Sequence, residues 1–144
     1  MKNSDILLIV NAYQALRKKE SDPENENPPE KLPTTVAWKR RLNFKDLIKA
    51  TETIDEALSE IGEKYQDDEH SETKKIKDVD GTEQEVRIVK SEFIAEYTKE
   101  KAELLAQDTD VTIRKIKIKE LGERDLSEDM LDTLMFMIEE EDDG

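Results

Sequence analysis

The sequence predicts an α+β fold that is mainly helical, in which a long amphipathic helix packs with two or three others beside a small antiparallel β-sheet. Three observations lead to this class. Apolar residues recur at spacings of three and four from Phe44 to Tyr65, which is typical of an amphipathic helix. An Asp80-Gly81 pair between short β-branched runs indicates a hairpin turn. The length of 144 residues favours a single domain, 1–144.

The first helix is predicted from Asn3 to about Lys19, with Ser4 as its N-cap. Its apolar residues follow helical spacing: Ile6, Leu7, Val10, Tyr13 and Leu16. All four prolines of the chain lie in the next segment, 20–33, and acids dominate its other positions. Because proline interrupts both helix and sheet, 20–33 is predicted to be an acidic, Pro-rich, mobile arm.

The longest predicted element is a helix from Thr34 or Thr35 to about Tyr65. Its seam contains one polar residue among apolar ones: Phe44, Leu47, Thr51, Ile54, Leu58, Ile61 and Tyr65. The helix would extend roughly 45 Å, which is longer than a compact domain of this size requires. Part of the seam must therefore be covered, either by another helix of this chain or by a second copy in a homodimer. We favour intramolecular cover, by the first helix and by the helix predicted for 91–107.

The second half of the chain contains shorter elements. An acidic loop is predicted for 66–73, then a hairpin within 75–90 around the Asp80-Gly81 turn. A helix follows from Ser91 to about Gln107, and the β-branched segment 111–119 is predicted to be a strand of the small sheet. Ser127 is predicted to cap the last helix. The expected buried stripe of that helix is Leu131, Leu134, Met135 and Ile138, and 139–144 is expected to form a flexible acidic tail.

Composition restricts the function. There are 37 acidic residues against 23 basic ones, a formal net charge of -14, which argues against direct binding to nucleic acid because phosphate binding requires excess Lys and Arg. The absence of cysteine excludes disulfides and thiol chemistry and fits a reducing compartment. No apolar stretch approaches the roughly 18 residues that span a membrane, and the apolar run 6–10 is too short for a signal peptide. We therefore expect a cytoplasmic protein with no membrane contact.

Two clusters could carry metal chemistry. The run Asp67-Asp68-Glu69-His70 could hold a hard cation, although a solvated acidic loop is the favoured interpretation. The pairs Glu60/Glu63 and Glu100/Glu103 have the ExxE spacing of all-α nucleoside triphosphate pyrophosphohydrolases, which hold magnesium. Because the apolar seam occupies the interior positions of the long helix, these acids are expected to face outward. We therefore expect no enzyme, and no catalytic, cofactor or metal site.

Two basic islands stand against the overall charge. One is at the start of the long helix beside Trp38 and Phe44: Lys39, Arg40, Arg41, Lys45 and Lys49. The other follows the predicted strand: Arg114, Lys115, Lys117 and Lys119. Arginine interleaved with aromatic residues is used in nucleic-acid grooves. The favoured interpretation is that these cations neutralise acids of the same molecule.

The order of elements adds a resemblance. A helix, an acidic arm, Lys31-Leu32-Pro33, a long helix near Ala37-Trp38-Lys39-Arg40, and Glu92-Phe93 opening a second amphipathic helix follow one another. This pattern resembles small uncharacterised accessory and structural proteins of tailed phages and prophages of Gram-positive bacteria. The resemblance implies a viral accessory or structural protein rather than a metabolic enzyme, and it carries no site residues.

The sequence thus favours a non-enzymatic interaction protein of phage type, whose acidic surface binds a basic host protein, for instance a defence protein or a nucleic-acid-binding one. The alternative is a virion or assembly component such as a neck or tail accessory protein, located in the virion. The pyrophosphohydrolase comes third. The candidate partner-binding residues are Glu52, Glu56, Glu63, Glu139, Glu140 and Glu141.

Overall fold

The computed structural model describes residues 1–26, 29–122 and 124–139. Within these ranges four α-helices accompany a two-stranded antiparallel sheet, which confirms the mainly helical α+β class. The chain divides into two compact units. Unit 1 comprises Met1–Glu52 and Asp108–Gly144, and unit 2 comprises Thr53–Gln107. In the part of the chain that is described, no helix is both long and apolar enough to span a membrane.

Helix α1 spans Asn3–Glu20 and lies in unit 1. Its N-cap is Lys2, whose carbonyl accepts a hydrogen bond from Ile6 N–H at 3.1 Å. The prediction of Ser4 as the cap is wrong, because an antiparallel bridge between Lys2 and Asp108 holds Lys2 extended, so the helix starts directly after it. The buried face follows helical spacing and contains four of the five predicted apolar residues, Ile6, Val10, Tyr13 and Leu16. Asn3 is also buried, whereas Leu7 is only half-buried.

The acidic arm contains no helix or strand among its described residues after Glu20, the last residue of α1. Asn27 and Pro28 lie outside the described residues. The carboxylate of Glu30 accepts hydrogen bonds from the backbone N–H and the hydroxyl of Ser127, at 2.8 and 2.7 Å. Leu32 packs against the core of unit 1. These contacts attach the last residues of the arm to unit 1.

Helix α2 spans Thr34–Lys64, in agreement with the predicted long helix. In unit 1 the seam residues Phe44 and Leu47 are fully buried, and the Phe44 ring stacks on Tyr13 of α1 with centroids 3.8 Å apart. In unit 2, Ile54 is buried, but Leu58 and Ile61 are only half-buried. The predicted cover of the seam is therefore complete at Phe44, Leu47 and Ile54 and only partial at Leu58 and Ile61.

The hairpin is confirmed in unit 2. Strand β1, Ser71–Lys77, pairs with β2, Glu83–Val89, from Ser71 opposite Val89 to Lys77 opposite Glu83. Gly81 occupies the turn with φ +85°, a conformation that favours glycine. The first residues of β1 belong to the segment predicted as an acidic loop.

Helix α3 spans Ile94–Ala106 and follows a 3-10 turn at Ser91–Phe93, close to the predicted helix 91–107. Four aromatic rings of unit 2 meet edge to face. Tyr65 contacts Tyr97 and His70 at centroid distances of 5.3 and 5.4 Å, and His70 contacts Phe93 at 4.6 Å. This cluster connects the end of α2 to the start of α3 and to the loop before β1.

The predicted strand at 111–119 is wrong. The segment is extended, but it forms only one isolated bridge, in which Ile116 runs parallel to Ile138. Ile116 N–H donates to Met137 O at 2.8 Å, and Glu139 N–H donates to Ile116 O at 2.7 Å. A 3-10 turn begins at Ile118 and ends this extended segment. Its β-branched residues therefore have no strand to pair with over their length.

The last helix, α4, is short and spans Glu128–Asp132. Ser127 caps it as predicted, because its hydroxyl oxygen accepts a hydrogen bond from Met130 N–H at 3.2 Å. The predicted stripe is partly wrong: Leu134 is fully buried but Met135 is exposed, because α4 gives way to a 3-10 turn that changes the spacing. The core cluster of unit 1 is Leu16, Val36, Ile116, Leu121, Met130, Leu134 and Met137.

Candidate functional site

The predicted partner-binding acids are distributed over both units. Glu52 is exposed and ends the first segment of unit 1, whereas Glu56 and Glu63 are exposed on the part of α2 in unit 2. A separation of seven residues places Glu56 and Glu63 on the same side of the helix. Within the described chain none of the three forms an ion pair, so their charges are available to a partner.

The acidic tail is described only at its first residue. Glu139 is exposed, and its backbone N–H is fixed by the hydrogen bond to Ile116 O. Glu140 and Glu141 lie outside the described residues, as do residues 142–144. The backbone of Glu139 thus belongs to the bridge that closes unit 1, while its side chain faces solvent.

Other carboxylates of unit 2 are already paired. The Nζ of Lys64 lies 2.6 Å from a carboxylate oxygen of Glu100, and this hydrogen bond holds the pKa of Glu100 below its usual range. The same contact raises the pKa of Lys64. Asp68 pairs with Arg87, and Glu103 lies 3.9 Å from Lys99. These pairs neutralise part of the acidic charge, in contrast to Glu56 and Glu63.

Three of the four glutamates of the ExxE pairs line one groove. Glu60, Glu100 and Glu103 line a groove of about 420 Å³ in unit 2, which Ile61 and Leu104 also line. Lys64 lies in the same groove and is hydrogen-bonded to Glu100. Glu63 is not among the residues that line it. Glu60, Glu100 and Glu103 therefore line one groove that α2 and α3 both border, while Glu60, Glu63 and Glu103 are exposed to solvent, as expected.

The one group of metal-ligand type that comes together within the described ranges is Asp67, Glu69 and His70, whose ligand atoms lie within 4.8 Å of one another. His70 Nδ1 is 2.6 Å from Asp67 Oδ1, and this hydrogen bond lowers the pKa of Asp67. Asp67 also accepts the backbone N–H of His70 at 2.9 Å. These hydrogen bonds hold the His70 ring beside Asp67 in the loop before β1.

The basic islands lie in unit 1 and are only partly neutralised. Arg114 pairs with Asp46 at 3.1 Å, which agrees with the favoured sequence interpretation. Lys39 donates to the carbonyl of Lys115 at 3.1 Å, and Lys115 donates to that of Phe136 at 3.0 Å. No ion pair within the described ranges involves four cations of the first island: Arg40, Arg41, Lys45 and Lys49. These four cations are therefore not held in close ion pairs with acids of the described chain.

Sequence reasoning missed the contribution of α1 to the first island. The guanidinium carbons of Arg17 and Arg40 lie 5.7 and 4.9 Å from the centroid of the same ring, that of Tyr13. Burial lowers the pKa of Arg40, and its Nε and one terminal nitrogen are buried with no hydrogen-bond partner in the described chain. The spacing of Tyr13 and Arg17 places them one helical turn apart on α1, but it gives no signal that they meet residues of α2.

Comparison with models of protein families, with curated proteins and with solved structures finds no match. Two surfaces of the protein are candidates for binding. One is an exposed acidic side of α2 in unit 2, and the other is a basic and aromatic groove between α1 and α2 in unit 1. The interpretation of each surface therefore depends on the chemistry of its own residues.

Proposed function

We propose that the protein is a non-enzymatic interaction protein of phage type, whose acidic surface binds a basic surface of a host protein, such as a defence protein or one that binds nucleic acid. The proposal depends on one observation about Glu56 and Glu63. The carboxylates of these two residues are exposed on one side of an ordered helix, and no cation of the described chain pairs with them.

The charge of unit 2 supports the same proposal. The segment Thr53–Gln107 contains 16 acidic and 8 basic residues, and Glu100 and Glu103 already take up two of its basic partners, Lys64 and Lys99. Carboxylates held on a regular element form a fixed pattern that a basic surface can match without ordering the acidic partner first. Net negative charge also accelerates encounter with a basic protein.

The direct experiment is capture from host lysate followed by binding kinetics with the captured protein. The test variant changes Glu52, Glu56 and Glu63 to Gln, and the matched control changes Glu72, Glu83 and Glu85, which are exposed on the hairpin. Both variants remove the same formal charge. We expect the test variant to lose affinity by at least about tenfold and the control to lose much less. Equal losses would show that only net charge matters and would contradict a defined acidic surface.

Two further measurements distinguish long-range electrostatic attraction from direct contact: the salt dependence of the binding rates and the effect of deleting the acidic tail. Association should slow as salt increases, because the Debye length falls from about 10 Å at 0.1 M to about 3 Å at 1 M. Deletion of residues 140–144, which keeps the Glu139 backbone bridge, should slow association more than it accelerates dissociation. Glu52, Glu56 and Glu63 should matter more for affinity than the tail does.

The alternative, a virion or assembly component, makes the opposite prediction. A permanent assembly contact depends on buried apolar area, so it should change little with salt and should survive both sets of acid changes. Co-purification with virions and salt-insensitive binding would favour this alternative. Self-association through α2, as in a homodimer, would appear as a doubled mass in solution and would also remove α2 from the host-facing surface.

A further inference from the structure

A second surface, in unit 1, has a different chemistry. A cavity of about 540 Å³ lies between α1 and α2, within the size range of small-molecule sites. One part of its lining is apolar, from Trp38, Leu42, Phe44 and Ile48, and the rest includes Arg17, Arg41 and Lys45. An adjoining cavity of about 310 Å³ shares Tyr13, Arg17 and Arg41 and adds Arg40 and Glu20. The two together offer an apolar compartment beside a cationic one.

The cationic compartment has an excess of positive charge. Three guanidinium groups, from Arg17, Arg40 and Arg41, border it, and Glu20 is the one carboxylate in its lining. The Tyr13 hydroxyl accepts a hydrogen bond from Arg17 at 3.2 Å. Buried nitrogens of Arg40 lack a hydrogen-bond acceptor in the described chain. An anion in this compartment would balance the charge.

The apolar compartment has an exposed aromatic wall. Trp38 is 58% exposed, although tryptophan is a large apolar residue. An indole face beside guanidinium groups suits a planar ring that carries a phosphate, because the ring stacks on the indole and the phosphate accepts paired N–H donors. Arginine is the side chain best matched to phosphate in this way.

We propose that this cavity binds a nucleoside monophosphate, with the phosphate at Arg17 and Arg41 and the base against Trp38. A free nucleotide and the 5′-phosphorylated end of a nucleic-acid strand present the same chemistry. The net charge of -14 favours the free nucleotide, because every further phosphate of a strand is repelled by the molecule as a whole. This site is separate from the acidic surface of unit 2 and needs no protein partner.

The chain provides its own reporter, since Trp38 is its single tryptophan. The intact protein is titrated with AMP or GMP while Trp38 emission is followed, and N-acetyltryptophanamide corrects for light absorbed by the nucleotide. We expect saturable quenching by a monophosphate, with binding at least about tenfold weaker for adenosine and for inorganic phosphate. A 5′-phosphorylated oligothymidylate should bind more weakly than the free nucleotide. Absence of saturation by either nucleotide at millimolar concentration would overturn the proposal, as would equal binding of adenosine and AMP.

Substitutions at exposed positions assign the phosphate contact. Arg41→Gln and Arg17→Gln should each weaken AMP binding about tenfold or more, since each removes a charge-assisted hydrogen bond. Lys49→Gln is the matched control: Lys49 is exposed on the same helix and outside both cavity linings, and its loss should change binding by less than about twofold. Unchanged melting curves establish that the variants fold. Equal effects of Arg41→Gln and Lys49→Gln would show general charge attraction and overturn the assignment.

Discussion

The side-chain amide of Asn43 forms two hydrogen bonds with the backbone of Arg114. Its nitrogen donates to Arg114 O at 3.0 Å, and its oxygen accepts Arg114 N–H at 2.9 Å. A neighbouring β-strand would satisfy the same two backbone groups in the same way. Asn43 is fully buried on α2, so a helix side chain replaces the missing strand partner of the extended segment.

Asn43→Ala should therefore destabilise unit 1 by about 2 kcal/mol, since it leaves the N–H and C=O of Arg114 without these partners. The free energy of unfolding from denaturant titration measures this loss. Asn11→Ala, at an exposed position of α1, is the control and should have little effect. Similar losses for the two variants would contradict a structural role for the Asn43 amide.

The apolar residues of α2 differ in how deeply they are buried, so an aspartate introduced at different positions should destabilise the protein to different degrees. Leu47→Asp should unfold the protein, because Leu47 is fully buried and an unpaired carboxylate there costs several kcal/mol, a large part of an ordinary stability of about 5–15 kcal/mol. Leu58→Asp should be milder, since Leu58 is half-buried and its carboxylate can reach water. Thermal melts of both variants test the order, and a folded Leu47→Asp protein would exclude this position from the core.

The pair formed by Lys64 and Glu100 predicts a pH dependence. The pKa of Glu100 is lowered in the folded protein, chiefly by its hydrogen bond to Lys64. Its contribution to stability is therefore complete above the unfolded carboxyl pKa of about 4.3 and is lost as the pH falls through the lower folded value. Melting temperatures measured from about pH 6 to about pH 2 should fall less steeply for Glu100→Gln than for the native protein. Glu92→Gln, at an exposed position, should follow the native curve.

The pyrophosphohydrolase hypothesis gives a simple assay. The pure protein with magnesium and a panel of nucleoside triphosphates should release no pyrophosphate, because Lys64 already engages Glu100 in the groove that Glu60 and Glu103 share. Glu60→Gln is the diagnostic variant, because Glu60 lines this groove. Pyrophosphate release that this change abolishes would make the enzyme hypothesis the leading one, and release that survives it would indicate a contaminant.

Local sequence patterns were sufficient to predict the elements whose formation depends on neighbouring residues in the chain. The α2 helix, the Asp80-Gly81 turn and the Ser127 cap are all indicated by local sequence patterns, and all three are confirmed. The segment 111–119 failed for the opposite reason. Its β-branched residues favour an extended chain, but a strand also requires a partner, and the partners are Asn43 and Ile138, remote in sequence.

The same limit applies to the candidate sites. Glu56 and Glu63 are exposed as predicted, because the seam positions of α2 turn inward and leave them outside. Arg17 could not be assigned to the basic island, since it precedes Lys39 by the whole Pro-rich arm and reaches the cavity only through the packing of Tyr13 on Phe44. Composition identified the charge of each surface, whereas packing between remote helices determined its shape.

The discontinuity of unit 1 has a consequence for protein synthesis. Unit 2 is one continuous stretch, Thr53–Gln107, so all its contacts are available once that stretch has left the ribosome. Unit 1 must wait for residues beyond Gln107, because Ile116, Met130 and Met137 complete a core that also contains Leu16 and Val36. Its first segment therefore emerges with an unmatched apolar face, and interception by chaperones is most favoured during this interval.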